Sequence, residues 1–239
     1  MAAVDAQDAG VASSLKPHKV VLPVELLKDV QATADGRRCL DNESDDGFFY
    51  IPDFISEAEE AHLINKIQNA PQPKWRTLQA RRYVLIMISC LAFQLMNEYE
   101  PGQGIMPHED GEAYYPVVAT VSLGGATMLD LYRYANDEEQ QVYRQQMAKQ
   151  NDRPVARARE QRPRFSILQE PRSLLITRGS AYKLFLHGIA ERTSDDAVHL
   201  AGVTNGDMLS TVSLRDTVVK AKKGDQDVLL HRKSDSVLR

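Results

Sequence analysis

Apolar residues along this chain gather in short runs, rich in β-branched and aromatic side chains and closed by glycine or proline, a pattern that predicts strands. The first such run, Phe48 to Ile55, is halted by Pro52; Val117–Leu123 ends at Gly124-Gly125, and Met128–Tyr132 follows. Strand character returns at Phe165–Leu168, Ser173–Thr177 and Tyr182–Leu186, separated by Glu170-Pro171 and Arg178-Gly179, and a last strand is expected over Leu209–Val219. One stretch has helical texture. Ser56 precedes Glu57 and Glu59 as an N-cap precedes acids that favour the helix dipole, and Leu63, Ile64 and Ile67 supply an apolar face before Pro71. The apolar run Tyr83–Met96 contains Ser89 and Gln94, is too short for an ordinary membrane span, and reads as a buried strand or helix.

Many short strands after one helical preface predict a mainly β fold with flanking helices, its core a double-sheet jelly roll, or double-stranded β-helix. That domain is expected over residues 47–222, with a polar, partly helical surface insertion at 136–164. Residues 1–46, with the modest apolar patch Val20–Leu27 and the acidic run Asp41–Asp46, read as a flexible leader, and residues 223–239 as a basic polar tail.

Composition changes this picture little. With 239 residues, 43% of them apolar and 26% charged, the chain has enough material for one sizeable domain and the balance of an ordinary globular protein. A net charge of −4 and a pI near 5.9 exclude a global basic footprint, so any nucleic-acid surface has to be local. Cys39 and Cys90 are far apart and make no CxxC pair, which argues against a zinc site or disulfide framework and fits a reducing interior. The N-terminus lacks a basic segment leading into an apolar core. A monomer of the cytoplasm and nucleus, with no membrane association, is the expectation.

The chemistry concentrates at His108-Glu109-Asp110. An imidazole and a carboxylate two residues apart on an extended segment share one face, so both can bind one metal ion. A histidine from a distant strand, such as the isolated His187, completes a two-His-one-carboxylate facial triad, which leaves positions open for a co-substrate and O2 and suits Fe(II). His-x-Asp pairs also arise by chance, and a lone histidine is commonly a satisfied surface or core residue. The fixed order of Asn97, Tyr99, Gly102, His108 and Asp110 within one short stretch is what lifts this pair above the background.

The stretch Asn97-Glu98-Tyr99 through Pro101-Gly102 to His108-Glu109-Asp110-Gly111 resembles the N-x-Y…H-x-D signature of the AlkB family of Fe(II)- and 2-oxoglutarate-dependent dioxygenases. Ile51–Ser56, Ala70–Trp75 and Gly179-Ser180-Ala181-Tyr182 leading to His187-Gly188-Ile189 extend the likeness over roughly residues 48–215. The resemblance implies His108, Asp110 and His187 as iron ligands and Asn97 and Tyr99 as contacts to 2-oxoglutarate, offering an amide and a phenol to its carboxylates. The plain alternative is a core aromatic at Tyr99 and a turn residue at Asn97. The family's closing R-x5-R element is altered, because Thr211 and Thr217 stand where its arginines are expected. Ser213 and Arg215 are then the co-substrate contacts left on that strand, Arg215 lying on the same face as Thr211 at a different depth; the plain alternative is that Arg215 is a surface charge beside Asp216.

A second departure is the short passage from Trp75 to Asn97 through Arg76–Arg82, where relatives carry a longer segment on the substrate side. The implied reaction is oxidative demethylation, with succinate, CO2 and formaldehyde as products. An alkylated nucleic acid would be held by aromatic side chains and basic residues, for which Trp75, Tyr114, Tyr115, Lys74, Arg76, Arg81 and Arg82 are candidates. Each has a bland reading as well, core strand for the tyrosines and solvated face for the arginines. A protein or small-molecule substrate stays open. So do two other functions: a cupin-like metal-binding module with little turnover, and an iron oxygenase that hydroxylates protein.

Overall fold

The computed structural model of the chain describes residues 18–19, 47–69, 76–78, 81–89, 92–111, 117–149, 159–232 and 237–238. Its strands in chain order are β1 (His18–Lys19), β2 (Gly47–Ile51), β3 (Arg76–Leu78), β4 (Arg81–Ser89), β5 (Ala92–Tyr99), β6 (Ile105–His108) and β7 (Val117–Val121). They continue as β8 (Thr127–Arg133), β9 (Phe165–Gln169), β10 (Leu174–Arg178), β11 (Phe185–Ile189), β12 (Ser194–Asp196), β13 (Leu229–His231) and β14 (Val237–Leu238). Every strand pairing is antiparallel.

Two four-stranded sheets, β1-β2-β10-β7 and β6-β11-β8-β9, make the jelly-roll core. They share one apolar cluster: Phe48, Tyr50 and Leu175 from the first sheet meet Leu131, Phe165, Ile167 and Phe185 from the second. Phe165 stands edge-on to Phe48 (centroids 5.8 Å apart) and to Phe185 (5.3 Å), the arrangement aromatic quadrupoles favour. Burying each such side chain contributes about 1.5–3 kcal/mol.

The second sheet is also covered on its other side. Met128 and Leu168 join the same cluster as Leu200 from the helix Ala197–Ala201 and Val218 and Ala221 from the helix Val212–Lys222. Asn205 locks the approach by imitating a strand: its side chain accepts from Leu168 N at 2.9 Å and donates to Leu168 O at 2.8 Å. A third sheet, β14-β5-β4-β3, carries Met96, which packs with Leu123 and with Ile67 of the helix Glu57–Gln68. That helix starts as expected, with a complete Ser56–Glu59 capping box, although of its three predicted apolar residues Leu63 is 37% exposed and Ile64 and Ile67 pack inward.

Four expectations need correction. Leu209–Val219 is not a strand: Val212–Lys222 is a helix whose Leu214, Val218 and Ala221 recur at helical spacing and turn toward the core. Its N-terminus is held by Glu170, a fully buried carboxylate that accepts from Thr211 N (2.7 Å), Ser210 N (3.0 Å) and Tyr50 Oη (3.1 Å). Burial, and then the charge of Glu170, push the Tyr50 phenol far above its ordinary value, so it serves as a donor. Glu170→Gln, which removes the charge but not the shape, is expected to cost about 2 kcal/mol in denaturant unfolding; unchanged stability would remove Glu170 as the helix anchor.

The other three concern boundaries. Tyr83–Met96 is neither one strand nor a helix but most of a β4–β5 hairpin. Tyr182–Leu186 is split between a helical turn, Ser180–Leu184, and the start of β11. The supposed polar tail after residue 222 supplies β13, paired with β12, and β14, paired with Glu98 and Tyr99 of β5.

The insertion is partly helical, with a helix at Asp137–Lys149. It leaves and rejoins the β8–β9 hairpin at a Tyr134–Arg159 bridge, and Arg133 and Arg164 both reach Glu160 there. Of the expected leader only His18–Lys19 is described, and it pairs with β2. Among the described residues, no helix is long and apolar enough to cross a membrane.

Candidate metal centre

His108 and His187, 79 positions apart in the sequence, are direct partners across β6 and β11. Two local features create that register. Ile105 pairs with Ile189, so three steps along β6 match two along β11, and the irregularity at Met106-Pro107 turns His108 to the same side as His187. Two glycines let the strands close: a Cβ on Gly104 would lie 2.2 Å from the Ile189 carbonyl oxygen, and one on Gly188 2.9 Å from Pro107 N. The row continues through Leu131 to Phe165, both in the core, so the histidines extend the inner face of the barrel.

Asp110 follows just beyond β6. Its Oδ1 lies 3.9 Å from His108 Nε2 and 3.7 Å from His187 Nε2, and the two imidazole centroids are 4.5 Å apart. One donor atom from each residue lies within 4.8 Å of the others, and all three side chains are half-buried. His108 Nδ1 lies 2.9 Å from the Met106 carbonyl; donating there, it leaves Nε2 as the free lone pair, the orientation a ligand needs. Behind Asp110, the Tyr182 hydroxyl donates to the Gly111 carbonyl at 2.9 Å and ties down the loop. The trio can hold a divalent cation of borderline hardness.

Burial first, and then the neighbouring His108, push His187 down to about 4, while Asp110 opposes them. In the metal-free protein His187 is therefore neutral at pH 7 and ready to ligate. The unfolded chain takes up its proton near pH 6.5 and the folded chain only near 4, so stability falls as pH drops through that window, by at most roughly 3–4 kcal/mol. The check is the imidazole titration of metal-free protein by NMR; a His187 midpoint near 6.5 would contradict this.

The remaining predicted residues divide. Asn97 and Tyr99 lie on β5, in the third sheet, and β5 runs into β6 through the turn at Glu100–Gly104. Asn97 Oδ1 accepts from Arg81 Nε at 3.2 Å, and Tyr99 is buried. Ser213 and Arg215 do not follow them. They sit in the first turn of the helix Val212–Lys222, where Ser213 is exposed and Arg215 Nη2 donates to the Ser210 carbonyl at 3.3 Å. The shared strand face that recommended Arg215 does not exist, because the segment is helical; β14 is the strand laid against Tyr99.

Among the basic candidates, Arg82 is committed to the buried carboxylate of Glu98, with Nη2 2.9 Å from Oε1, and Arg76 is exposed on β3. Lys74, Trp75, Tyr114 and Tyr115 lie outside the described residues. Gly104, Gly188, Tyr182 and the Met106 carbonyl were not anticipated. Gly104 and Gly188 stand within four residues of predicted ligands, and Tyr182 and Gly188 belong to segments that carry the family resemblance, but the role of each shows only in three dimensions.

No model of a known protein family matches the chain. It is similar to a protein of Danio rerio described as "Probable RNA/DNA demethylase ALKBH6", with 37% identity over 172 residues covering 59% of this chain and 68% of that protein. It is also 29% identical over 103 residues, 43% of this chain and 38% of the other, to "Uncharacterized protein L905" of Acanthamoeba polyphaga mimivirus. Among solved structures, that of OsALKBH1 overlaps 90% of this chain and 89% of its own, at 16% identity and a TM-score of 0.29.

Proposed function

Because the chain belongs to the AlkB family of dioxygenases, we propose that it is an Fe(II)- and 2-oxoglutarate-dependent dioxygenase whose metal is held by His108, Asp110 and His187. The observation that carries this reading is the convergence of these three donors on one point of the inner barrel face, two of them brought from strands far apart in sequence. The donor set fits the group: two imidazoles and one carboxylate would hold Fe(II) and leave positions for a co-substrate and O2. When bound there, Fe(II) with 2-oxoglutarate and O2 supplies the oxidation of an N-alkyl carbon, yielding succinate, CO2 and, from a methyl group, formaldehyde.

The chain's own residues supply placement. His108 is aimed by its bond to the Met106 carbonyl, and the loop bearing Asp110 is held by Tyr182. Arg81 occupies the amide oxygen of Asn97, which leaves Asn97 Nδ2 to donate to a co-substrate carboxylate. Tyr99, two residues on and on the same strand face, is proposed as the second contact. The substrate we favour is an alkylated nucleic acid, in line with the activity named for the Danio rerio relative, with Arg76 among its contacts. We place the protein in the cytoplasm and nucleus as a monomer.

A second reading, a metal-binding module with little turnover, is favoured by one observation: Ser213 and Arg215 lie on a helix. Conversion of 2-oxoglutarate to succinate by purified protein with Fe(II), ascorbate and methylated oligonucleotide decides between them. Turnover that is lost in His108→Ala is expected for the enzyme; metal binding without succinate would leave the module.

A further inference from the structure

Behind β11 lies a second buried cluster of charge that the metal centre does not use. The side chains of Asp130 and Asp195 are each 1% exposed, and Arg192 stands between them, 2.8 Å from Asp130 Oδ2 and 3.5 Å from Asp195 Oδ1. Arg232, next to β13 and itself 6% exposed at the side chain, forks onto Asp195 with Nε at 3.2 Å and Nη2 at 3.1 Å, while its Nη1 donates to the Ala190 carbonyl at 2.9 Å.

Two members of this cluster, Asp130 and Arg192, are tied to strands of the site. Asp130 is the β8 residue opposite Gly188, next to His187. The Arg192 carbonyl accepts from Gly102 N at 3.2 Å, and Gly102 belongs to the turn that launches β6 toward His108. A buried ionic cluster is costly to desolvate and adds little stability over an apolar equivalent, so its use is in fixing one arrangement.

We propose that Asp195, bridging Arg192 and Arg232, is a positioning residue for the His108–Asp110–His187 centre. It sets the spacing of β6 and β11 and makes the segment around β13 part of the metal site, an inference that rests on the metal-binding reading above. The comparison is between wild type, Asp195→Asn and Arg232→Lys, which keeps the charge without the fork. Val218→Ala serves as a destabilised control that opens a cavity under the helix Val212–Lys222.

Amide exchange in metal-free protein is expected to quicken at Gly102 and Arg192 in Asp195→Asn, and Mn(II) affinity to fall by about tenfold or more, as for loss of an outer-shell support. Arg232→Lys should fall between that and wild type, and it carries the test alone if Asp195→Asn does not fold. Val218→Ala should bind Mn(II) as wild type does. An equal loss in Val218→Ala, or wild-type affinity and exchange in Asp195→Asn, overturns the positioning role alone. Wild-type protein that binds Mn(II) no better than His108→Ala overturns the metal reading, and this proposal with it.

Discussion

His108→Ala is expected to abolish stoichiometric binding of Mn(II) or Fe(II) while leaving the fold in place. The ring stands at the end of a short edge strand and is about one-third exposed, so its loss opens no cavity in the main cluster. What goes is one of three donors that lie within 4.8 Å of one another. Losing an outer-shell partner already costs 10–100-fold in metal affinity, and loss of a ligand from a three-donor site is expected to cost at least about 100-fold. Isothermal titration with Mn(II), with circular dichroism to follow the fold, is the check. Full stoichiometry at unchanged affinity in the variant would place the metal elsewhere.

Gly104→Ala should do comparable damage from outside the site. The new methyl would meet the Ile189 carbonyl oxygen at 2.2 Å, and this neighbour is backbone, which cannot rotate away as a side chain could. β6 and β11 then have to separate where His108 and His187 are paired. Overpacking of this kind costs about 1–3 kcal/mol, and at this chain length each 1 kcal/mol moves Tm by roughly 2–4 °C. Two losses are therefore expected together: a Tm lower by several degrees and weaker Mn(II) binding. A variant with wild-type values for both would mean that the strands do not need their close approach.

The legible parts of this protein were those decided by local chemistry. The apolar runs at Met128–Tyr132 and Phe165–Leu168 lie within observed strands, and those at Phe48–Ile55 and Val117–Leu123 begin as strands that end at Ile51 and Val121. The Ser56 cap satisfies its own helix from within four residues. The grouping of His108 with Asp110 was legible because residues two apart on extended chain share a face, and the strand placement of Asn97 and Tyr99 followed from the same spacing.

What misled was composition taken without context. Val212, Thr217, Val218 and Val219 have strand propensity, but the segment starts on the carboxylate of Glu170, 41 positions before Thr211, and buries Leu214, Val218 and Ala221 along one helical stripe. Tertiary contacts outweighed intrinsic preference, as they commonly do for β-branched residues. The segment after residue 222 read as a polar tail from its composition, with Arg232 among its basic residues. Its carboxylate partner at Asp195 is distant in sequence, and only the fold makes the arginine an interior residue.

The insertion between β8 and β9 begins and ends at one point, sealed by the Tyr134–Arg159 bridge and by Glu160 between Arg133 and Arg164. Once its two ends are pinned side by side, closure entropy grows only with the logarithm of what hangs between them, about 0.6 kcal/mol for each doubling. Evolution and the engineer thus have the same freedom here: further residues, even a whole reporter domain, can be added between the pins at little entropic cost to the barrel beneath.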